Sequence, residues 1–330
     1  KLTGKYYLDH YSAVNLTPLY DIKKNSWSNK ITKNLLNLDL LPDLVWTDQI
    51  IGDVTIEAAK ETGLAIGTPV TAGTIDAASE ALSVGVIDSE DMMMMYGSTM
   101  FFIIITKKPI HDSRMWYAPW LFKGLHTSLG GLATSGTLTH WFKNEFAREI
   151  KSKNPFEVLA SEAKKSPIGS NGILFLPYFS GERTPIHDTH AKGSFFGLNL
   201  THKRSDLYRS IFEGIAYGTR HVFDTIDELK ILPKNLYSVG GGTKNTLWSQ
   251  TISDVINQNQ ILREVTFGAS YGDAFLSALS IGDVKLKDIN NWNKIKVTIN
   301  PNSNKIYKKG YQNFRKLYEQ TKFLMKDMDS

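Results

Sequence analysis

A single carboxylate stands out in the stretch TAGTIDAASEALSVG, residues 71–85. An apolar run ends at Ile75, Asp76 follows, and a series of small residues begins directly after it. The pattern predicts the end of a strand and the start of a helix. One interpretation of Asp76 is capping, because Asp accepts hydrogen bonds from the free N–H groups of a first helical turn. The other is a carboxylate held at a ligand site.

Three glycine-containing segments are candidates for binding a phosphate or a nucleotide. Glycines allow a ligand to approach the backbone, and turns and helix N-termini direct N–H groups at phosphate oxygens. The segments are YGST (96–99), GGLATSGTL (130–138) and VGGGTKN (239–245). Each is a weak signal alone. Neither the G-x-G-x-x-G dinucleotide pattern with its ribose acid nor a G-x-x-x-x-G-K-[ST] P-loop is present, so a nucleotide would be held in another way.

Composition excludes several classes of function. The 330 residues are 42% hydrophobic and 22% charged, which is ordinary for a globular protein. The net charge of +5 comes from scattered Lys and Arg without interleaved aromatic residues, which disfavours nucleic-acid binding. No apolar run approaches the ~20 residues of a membrane span. The absence of cysteine excludes disulfides and Cys-ligated metals and fits a reducing cytoplasm, where we expect the protein.

The elements that must position these segments follow from apolar periodicity. Within residues 1–88 we predict a helical patch over 30–41 and a helix, a glycine turn and a buried strand across 51–70. Further strands are predicted at 92–96, 100–106, 125–131, 173–179, 236–242 and 261–265, and helices at 135–150, 206–229, 246–256, 270–282 and 306–328. Paired strands followed by alternating strands and helices predict an α/β protein with a mixed sheet covered by helices on both faces.

Five segments, in the same order along the chain, resemble the FGGY family of carbohydrate kinases. GSFFGLNLTHKRSDLYRSIFEG (193–214) resembles the second signature of the family, and LPYFSGERTPIHD (176–188) the preceding loop of its xylulokinase-like members. VGGGTKNTLWSQTISDV resembles the adenosine motif, YGST the second phosphate loop, and TPVTAGTIDAASEALSVG the end of the first lobe. The resemblance implies the two-lobed actin-like (RNase H-like) ATPase fold, with ATP, Mg²⁺ and a sugar in the cleft between the lobes.

The resemblance also assigns roles to individual residues. Asp76 matches the catalytic base, so we expect it both to cap its helix and to face the sugar. The matched ATP contacts are Gly97, Ser98, Thr99 and Gly136 for the phosphates and Gly240, Gly241 and Asn245 for the adenosine; no residue is assigned to a metal. Phosphoryl transfer needs positioning, charge neutralisation and an acceptor for the hydroxyl proton, and a carboxylate at a strand end can be that acceptor.

The resemblance predicts one complete lobe, residues 89–330 on the nucleotide side, and part of another, residues 1–88 on the sugar side. The family's opening Asp-x-Gly-Thr loop, whose Asp helps to hold Mg²⁺, has no counterpart here. We therefore expect that the chain lacks the start of the first lobe and has little or no kinase activity alone. D-xylulose is the leading substrate, and D-ribulose, L-xylulose, gluconate and glycerol remain open. The alternatives are an actin-like nucleotide-binding module without sugar kinase activity and a chain that binds adenine nucleotide but catalyses nothing by itself.

Several other residues have a functional and a structural interpretation. Arg183 faces the cleft or forms a surface pair with Glu182, and Lys244 lies near the nucleotide or in solvent. Glu213, inside a mostly apolar helix, predicts a hydrogen bond to neighbouring loops. The remaining structural interpretations are core packing for Met92–Met95, Trp141 and Trp248, a polar loop without metal for His187 and His190, and a C-terminal helix that packs on its own lobe or forms a homodimer interface.

Overall fold

The chain forms short elements up to residue 75 and longer ones after it. The computed structural model describes residues 1–33 and 36–328. The strands are β1 (Tyr7–Asp9), β2 (Tyr20–Asp21), β3 (Ser26–Trp27), β4 (Asp43–Val45), β5 (Ile50–Asp53), β6 (Pro69–Thr71), β7 (Asp91–Tyr96), β8 (Met100–Thr106), β9 (Trp116–Pro119), β10 (His126–Leu132), β11 (Leu174–Leu176), β12 (Ser194–Phe196), β13 (Asn235–Val239), β14 (Gln260–Arg263) and β15 (Ile295–Ile299). The helices are α1 (His10–Ala13), α2 (Asn29–Thr32), α3 (Ile56–Thr62), α4 (Asp76–Ser83), α5 (Gly136–Phe146), α6 (Pro155–Ala163), α7 (Arg204–Glu228), α8 (Thr246–Ile256), α9 (Ala269–Ser280), α10 (Ile289–Trp292) and α11 (Lys305–Asp327).

A mixed sheet forms the centre of the fold. In the described part of the chain it has seven strands in the order β15-β14-β13-β7-β8-β10-β9. β13 is parallel to β7 and to β14, and the other neighbours are antiparallel. The predicted mixed sheet is therefore confirmed. The two edge strands, β9 and β15, have no counterpart among the predicted elements.

The methionines of β7 show how both faces of the sheet are covered. Met92 and Met94 are buried in a cluster that includes side chains of α5, α7, α8 and α11. Met93 points the other way, into a cluster with side chains of α4 and α9. Alternation along a strand places successive residues on opposite faces, so the methionines are core residues, as the sequence predicts. Helices cover both faces, as expected.

Most of the predicted long elements are present, with different ends. The strand predicted over 173–179 stops at Leu176, because Pro177 has no N–H to donate to a neighbouring strand. The helix predicted over 135–150 ends at Phe146, where the backbone of Ala147 leaves the helical region. α7 begins two residues before the prediction, and the Asp206 carboxylate accepts a hydrogen bond from Lys203 N at 2.8 Å at its start. No helix in residues 1–33 or 36–328 has the length and apolarity needed to cross a bilayer.

The strands before residue 76 form small pairs. β1 pairs in parallel with β4, and β2–β3 and β5–β6 are antiparallel pairs. The strand predicted near residue 70 is present as β6 but is not buried, because it pairs only with β5. Of the helical patch predicted over 30–41, only Asn29–Thr32 and a 3₁₀ turn at Leu38–Leu40 are helical, and residues 34–35 lie outside the described residues.

Helix α4 packs closely on α9 through small residues. Gly272 of α9 faces Ser79 of α4, where a Cβ on the glycine would overlap the Ser79 carbonyl oxygen. Ser79 Oγ lies 2.6 Å from Asp273 Oδ1 and 2.8 Å from the carbonyl oxygen of Ala269. This contact fixes α4, and with it Asp76, relative to the central sheet.

We predict that Gly272→Ala lowers the free energy of unfolding by about 1–3 kcal/mol, because overpacking outweighs the higher helix propensity of Ala. Urea denaturation measures the change. Ser277→Ala, at an exposed position of the same helix, is the control and should stay within about 0.5 kcal/mol of the parent. Equal stability of Gly272→Ala and the parent would contradict the close approach of the two helices.

Candidate active site

Two turns meet at one end of the central sheet. The first, Gly97–Thr99, joins β7 to β8, and Gly97 N donates a hydrogen bond to Thr99 O at 3.0 Å. The second follows β10 and opens α5: Gly136 N donates to Gly97 O at 2.9 Å, and Ser135 N donates to Ser98 O at 2.9 Å. A Cβ on Gly136 would lie 2.5 Å from Gly97 O. Glycine at position 136 is therefore required by the contact between the turns.

The third glycine segment follows β13. Gly240 has a φ of +91°, and a Cβ there would lie 2.7 Å from Tyr96 O. A Cβ on Gly242 would overlap the ring of Trp248, whereas one on Gly241 would meet no atom within 4 Å. Packing against the protein thus explains two of the three glycines, which the sequence alone attributed to a ligand. Only Gly241 leaves open space.

These segments surround a cavity of about 580 Å³. Of the predicted ATP contacts it is lined by Gly97, Ser98, Gly136, Gly241 and Asn245; Thr99 and Gly240 are not in its lining. Asn245 also has a structural role, because its Oδ1 accepts hydrogen bonds from Leu247 N and Trp248 N at the start of α8. Trp248, predicted as core, is buried and also lines the cavity.

One wall of the cavity is α6, which the sequence analysis did not predict. Its lining residues are Asn154, Phe156, Glu157, Ala160, Ser161 and, directly after the helix, Lys164. Lys164 Nζ donates a hydrogen bond to Thr246 Oγ1 of α8 at 3.2 Å. The sequence does contain the helix signals: Asn154 caps the first turn by accepting from Glu157 N, and Pro155 occupies the first helical position.

The cavity presents an electrostatic environment that suits an anion. The N-termini of α5 and α8 reach its lining at Gly136 and Thr246, and each carries a partial positive charge. Lys164 and Lys244 add two cations, against the single carboxylate of Glu157. Lys244 is exposed to solvent and is also part of the lining. Deeper in the site, burial raises the pKa of the Tyr96 hydroxyl well above its usual value, and this hydroxyl donates to Gln260 Oε1.

Asp76 lies outside this cavity, at the first residue of α4. Its side chain is exposed, and its Oδ1 accepts a hydrogen bond from Ala77 N at 2.7 Å. The predicted capping role is wrong in detail, because the cap position is Ile75 and Asp76 is already helical. The loop before it is held by buried Asp9, whose Oδ2 accepts from Thr74 Oγ1 and Ser12 N. Burial and the neighbouring charge of Asp76 raise the pKa of Glu80.

A second cavity, of about 710 Å³, adjoins Asp76. The two neighbours of Asp76, Ile75 and Ala77, line it from one side. The other lining residues combine aromatic rings with a few polar groups; they are Tyr11, Val14, Asn15, Thr17, Ile22, Lys23, Phe101, His111, Met115, Trp116, Tyr117, Ala118 and Leu129. Phe101 of β8 follows the Gly97–Thr99 turn by two residues, and Gly97 and Ser98 of that turn line the first cavity.

The remaining candidates have structural roles. Glu213 accepts hydrogen bonds from Gly169 N, Ser170 Oγ and Arg209 Nε, which confirms the predicted bonding to neighbouring loops. The predicted surface pair of Arg183 with Glu182 is wrong, since Glu182 is buried and Arg183 is exposed. His187 and His190 belong to no group of three potential metal ligands, and none occurs within the described ranges; His140 of α5 lines the first cavity.

Two models of known protein domains match most of the chain. Residues 1–83 match the model of the FGGY family of carbohydrate kinases, N-terminal domain, and residues 92–281 that of the C-terminal domain. Because the first match begins at residue 1, it gives no support to the prediction that the start of the first lobe is absent.

Individual relatives are similar along nearly the whole chain. "Xylulose kinase" of Staphylococcus epidermidis (strain ATCC 12228 / FDA PCI 1200) is 28% identical over 96% of this chain, and that of Lactococcus lactis subsp. lactis (strain IL1403) is 30% identical over 97%. The chain spans 64% of the length of each. The crystal structure of xylulose kinase from Rhodospirillum rubrum superposes with a TM-score of 0.90 at 27% identity, over 98% of this chain and 66% of that one.

We predict that Gly136→Ala lowers the free energy of unfolding by about 1–3 kcal/mol, because its methyl group would push against the Gly97 carbonyl. Gly241→Ala, which also faces the cavity but meets open space, is the matched control and should be neutral or slightly stabilising. Thermal unfolding of the two variants compares them directly. Equal destabilisation of both would contradict the specific contact between the turns.

Proposed function

The chain belongs to the FGGY family of carbohydrate kinases, and we propose that the protein transfers the γ-phosphoryl group of ATP to a sugar hydroxyl. One observation carries this proposal above the others: a glycine-lined, electropositive cavity includes Gly97 and Ser98 in its wall, and a second cavity, lined by Phe101 of the following strand, adjoins the exposed carboxylate at the start of α4. Phosphoryl transfer requires these two features side by side, a nucleotide site and a proton acceptor at a second substrate.

We place the nucleotide in the first cavity, whose volume is within the range usual for small-molecule sites. The phosphates lie at Ser98 and at the α5 N-terminus, where backbone dipoles favour negative charge. The adenine base lies between Gly241 and α6. The space beside the Gly241 backbone is open there, and Phe156 offers an aromatic surface. Gly97 lines the part of the cavity assigned to the phosphates, and Asn245 lines the part assigned to the adenine base. Thr99 and Gly240 support the two turns without facing the ligand.

Asp76 is proposed as the general base. The oxygen of the sugar hydroxyl attacks the γ-phosphorus, the bond from this phosphorus to the β,γ-bridging oxygen breaks, and ADP leaves. The hydroxyl proton passes to the Asp76 carboxylate. An exposed carboxylate at a rigid helix start is suited to accept this proton. The hydrogen bonds from Ser12 and Thr74 to Asp9 fix the loop that leads to Asp76.

Mg²⁺ is the expected partner of ATP in this reaction. The described residues include no group of three carboxylates or histidines that could form a protein cage for it. Mg²⁺ usually keeps several waters and binds one or two carboxylates together with substrate phosphates. We therefore propose that Mg²⁺ enters with the nucleotide, and no step above depends on a protein ligand for it.

The sugar is proposed to bind in the second cavity, beside Asp76. Trp116 and Tyr117 offer aromatic surfaces to the apolar face of a sugar, and Asn15, Thr17 and His111 offer hydrogen-bonding groups to its hydroxyls. D-xylulose is the first candidate, since both curated relatives described above are xylulose kinases. The lobe boundary at residues 88 and 89, a cytoplasmic location and a homodimer remain predictions of the sequence.

The competing function is an actin-like nucleotide-binding module without sugar chemistry. It shares the first cavity with a sugar kinase but gives the second cavity no role. Dependence of ADP release on a sugar separates the two functions, because only the kinase requires a phosphoryl acceptor.

We predict that Ser161→Trp weakens MgADP binding to the chain by about tenfold or more, because the indole occupies the space assigned to the base. Isothermal titration calorimetry measures the dissociation constant. Lys165→Trp, exposed and outside the cavity lining, is the control and should bind as the parent does. If both variants bound MgADP equally well, the nucleotide would not occupy this cavity.

We predict that Asp76→Asn reduces sugar-dependent ADP release by about 10²- to 10⁴-fold, the usual contribution of a general base, while MgADP binding is unchanged. Because the 330 residues span 64% of the length of the curated relatives, turnover is measured with a pentulose panel on the natural protein that carries this sequence. Glu57→Gln, which removes an exposed acid from the first turn of α3, is the control. Undiminished release in Asp76→Asn would exclude Asp76 as the base, and release without any sugar would favour the competing function.

A further inference from the structure

Glu182 is a buried carboxylate that the reaction above does not use. Only 5% of its surface is exposed. Its Oε1 accepts two short hydrogen bonds, from Ala133 N at 2.6 Å and from Arg183 N at 2.7 Å. Its Oε2 is buried and has no hydrogen-bond partner in the described part of the protein. Burial raises the pKa of Glu182 to about 7, and its two backbone hydrogen bonds and the charge of Arg183 only partly oppose this shift.

Keeping such a group buried lowers the stability of the folded protein. A buried carboxylate with one unsatisfied oxygen loses hydration that its hydrogen bonds do not replace. An apolar or neutral side chain of similar size would avoid this cost. Buried ionisable groups with strongly shifted pKa values concentrate at functional sites, where stability is given up for activity. The hydrogen bonds of Glu182 lead toward the proposed phosphate site.

Hydrogen bonds connect Glu182 through three loops to the proposed phosphate site. These are its own loop, the turn between β10 and α5, and the Gly97–Thr99 turn. Its own loop is joined to the end of β10 by hydrogen bonds from Thr184 N to Gly131 O at 3.1 Å and from Gly131 N to Thr184 Oγ1 at 3.2 Å. Ala133, held by Glu182, begins the turn that leads to Ser135 and Gly136. Those two residues in turn donate to the carbonyls of the Gly97–Thr99 turn.

The loop that contains Glu182 is also held by α11. Glu182 N donates to Asp188 O at 2.8 Å, and the Asp188 carboxylate accepts from Tyr318 Oη of α11 at 2.7 Å. The ionisable groups that act on Glu182 or respond to it within the described ranges are Arg183 of the same loop and Tyr178 after β11. The pKa of Tyr178 is raised mainly by burial and further by the charge of Glu182. Glu182 therefore connects a rigid outer support to a turn that would otherwise have a free backbone amide at Ala133.

We propose that Glu182 is a positioning residue of the phosphate site: its carboxylate holds the Ala133 amide and, through residues 134–136, keeps the Gly97–Thr99 turn in the shape that receives the nucleotide phosphates. The identity of the ligand in this inference rests on the proposed function. The ordering of the two turns by Glu182 does not depend on it. Hydrogen bonds to an ionised acceptor are about twice as strong as those to a neutral one, so the ionised form orders the turn best.

The pH dependence follows from the direction of the shift. The folded-state pKa lies above the ordinary value near 4.5, so ionisation of Glu182 costs folding stability as pH rises through about 7. Glu182→Gln keeps the length and one oxygen acceptor but cannot ionise. At pH 8.5 the variant should unfold at the same or a higher temperature than the parent, although its turn is less ordered. At pH 5.5, where Glu182 is neutral in the folded protein, the turns should be equally ordered in the two proteins, and the difference in unfolding temperature should be smaller than at pH 8.5.

The experiment compares the parent with Glu182→Gln and with Asp91→Asn as the matched control. Asp91 is also buried and accepts two backbone hydrogen bonds, from Ile87 N and Asp88 N, but it lies at the far end of β7 from the turn. At pH 8.5 and 5.5 we would measure MgADP dissociation constants by calorimetry, and hydrogen exchange of peptides covering residues 95–101 and 129–138 by mass spectrometry.

For Glu182→Gln at pH 8.5 we expect MgADP binding weaker by about fivefold, the effect of replacing an ionised acceptor by a neutral one, and faster exchange in both peptides. Both differences should disappear at pH 5.5, and Asp91→Asn should show neither. Parent-like exchange and affinity of Glu182→Gln at pH 8.5, or equal changes in Asp91→Asn, would overturn the proposal. If the parent bound no MgADP, the proposed function would fail, and exchange alone would decide whether Glu182 orders the turns.

Discussion

The candidate site depends on the direct backbone contact between the Gly97–Thr99 turn and the start of α5. Gly136 brings its amide to Gly97 O without a side chain in between, and this contact joins the ends of β7, β8 and β10. The first cavity opens beside this junction. A ligand held there would contact backbone atoms whose positions are set by the sheet itself, so little reorganisation is needed on binding.

The second constraint is the approach of α4 to α9. Gly272 allows the two helices to pack with backbone against backbone, and Ser79 adds polar contacts to Asp273 and Ala269. The start of α4 carries Asp76, so the proposed base is fixed to the same sheet as the proposed phosphate site. Glu182 has a comparable effect from the opposite side, through Ala133. Three close contacts thus fix the relative positions of the proposed nucleotide site, the proposed sugar site and the proposed general base.

Local patterns in the sequence predicted the long buried elements but not their mutual contacts. The apolar spacing of α7 and the apolar runs of β7 and β8 are strong signals because both elements are buried. The edge strands β9 and β15 were missed because one side of each faces solvent, which weakens the pattern. α6 was missed although Asn154 and Pro155 mark its start. The glycines at 240 and 242 were attributed to a ligand because packing against Tyr96 and Trp248 is visible only in three dimensions, as is the bond from Ala133 to Glu182 across 49 residues.

The most direct test of the central claim is a crystal structure of the chain with MgADP. Our account predicts the β-phosphate beside Ser98 and Gly136, the adenine base between Gly241 and α6, and Asp76 exposed beside the neighbouring cavity. A nucleotide bound elsewhere would contradict it. So would a first cavity that stays empty under conditions in which the chain binds MgADP in solution.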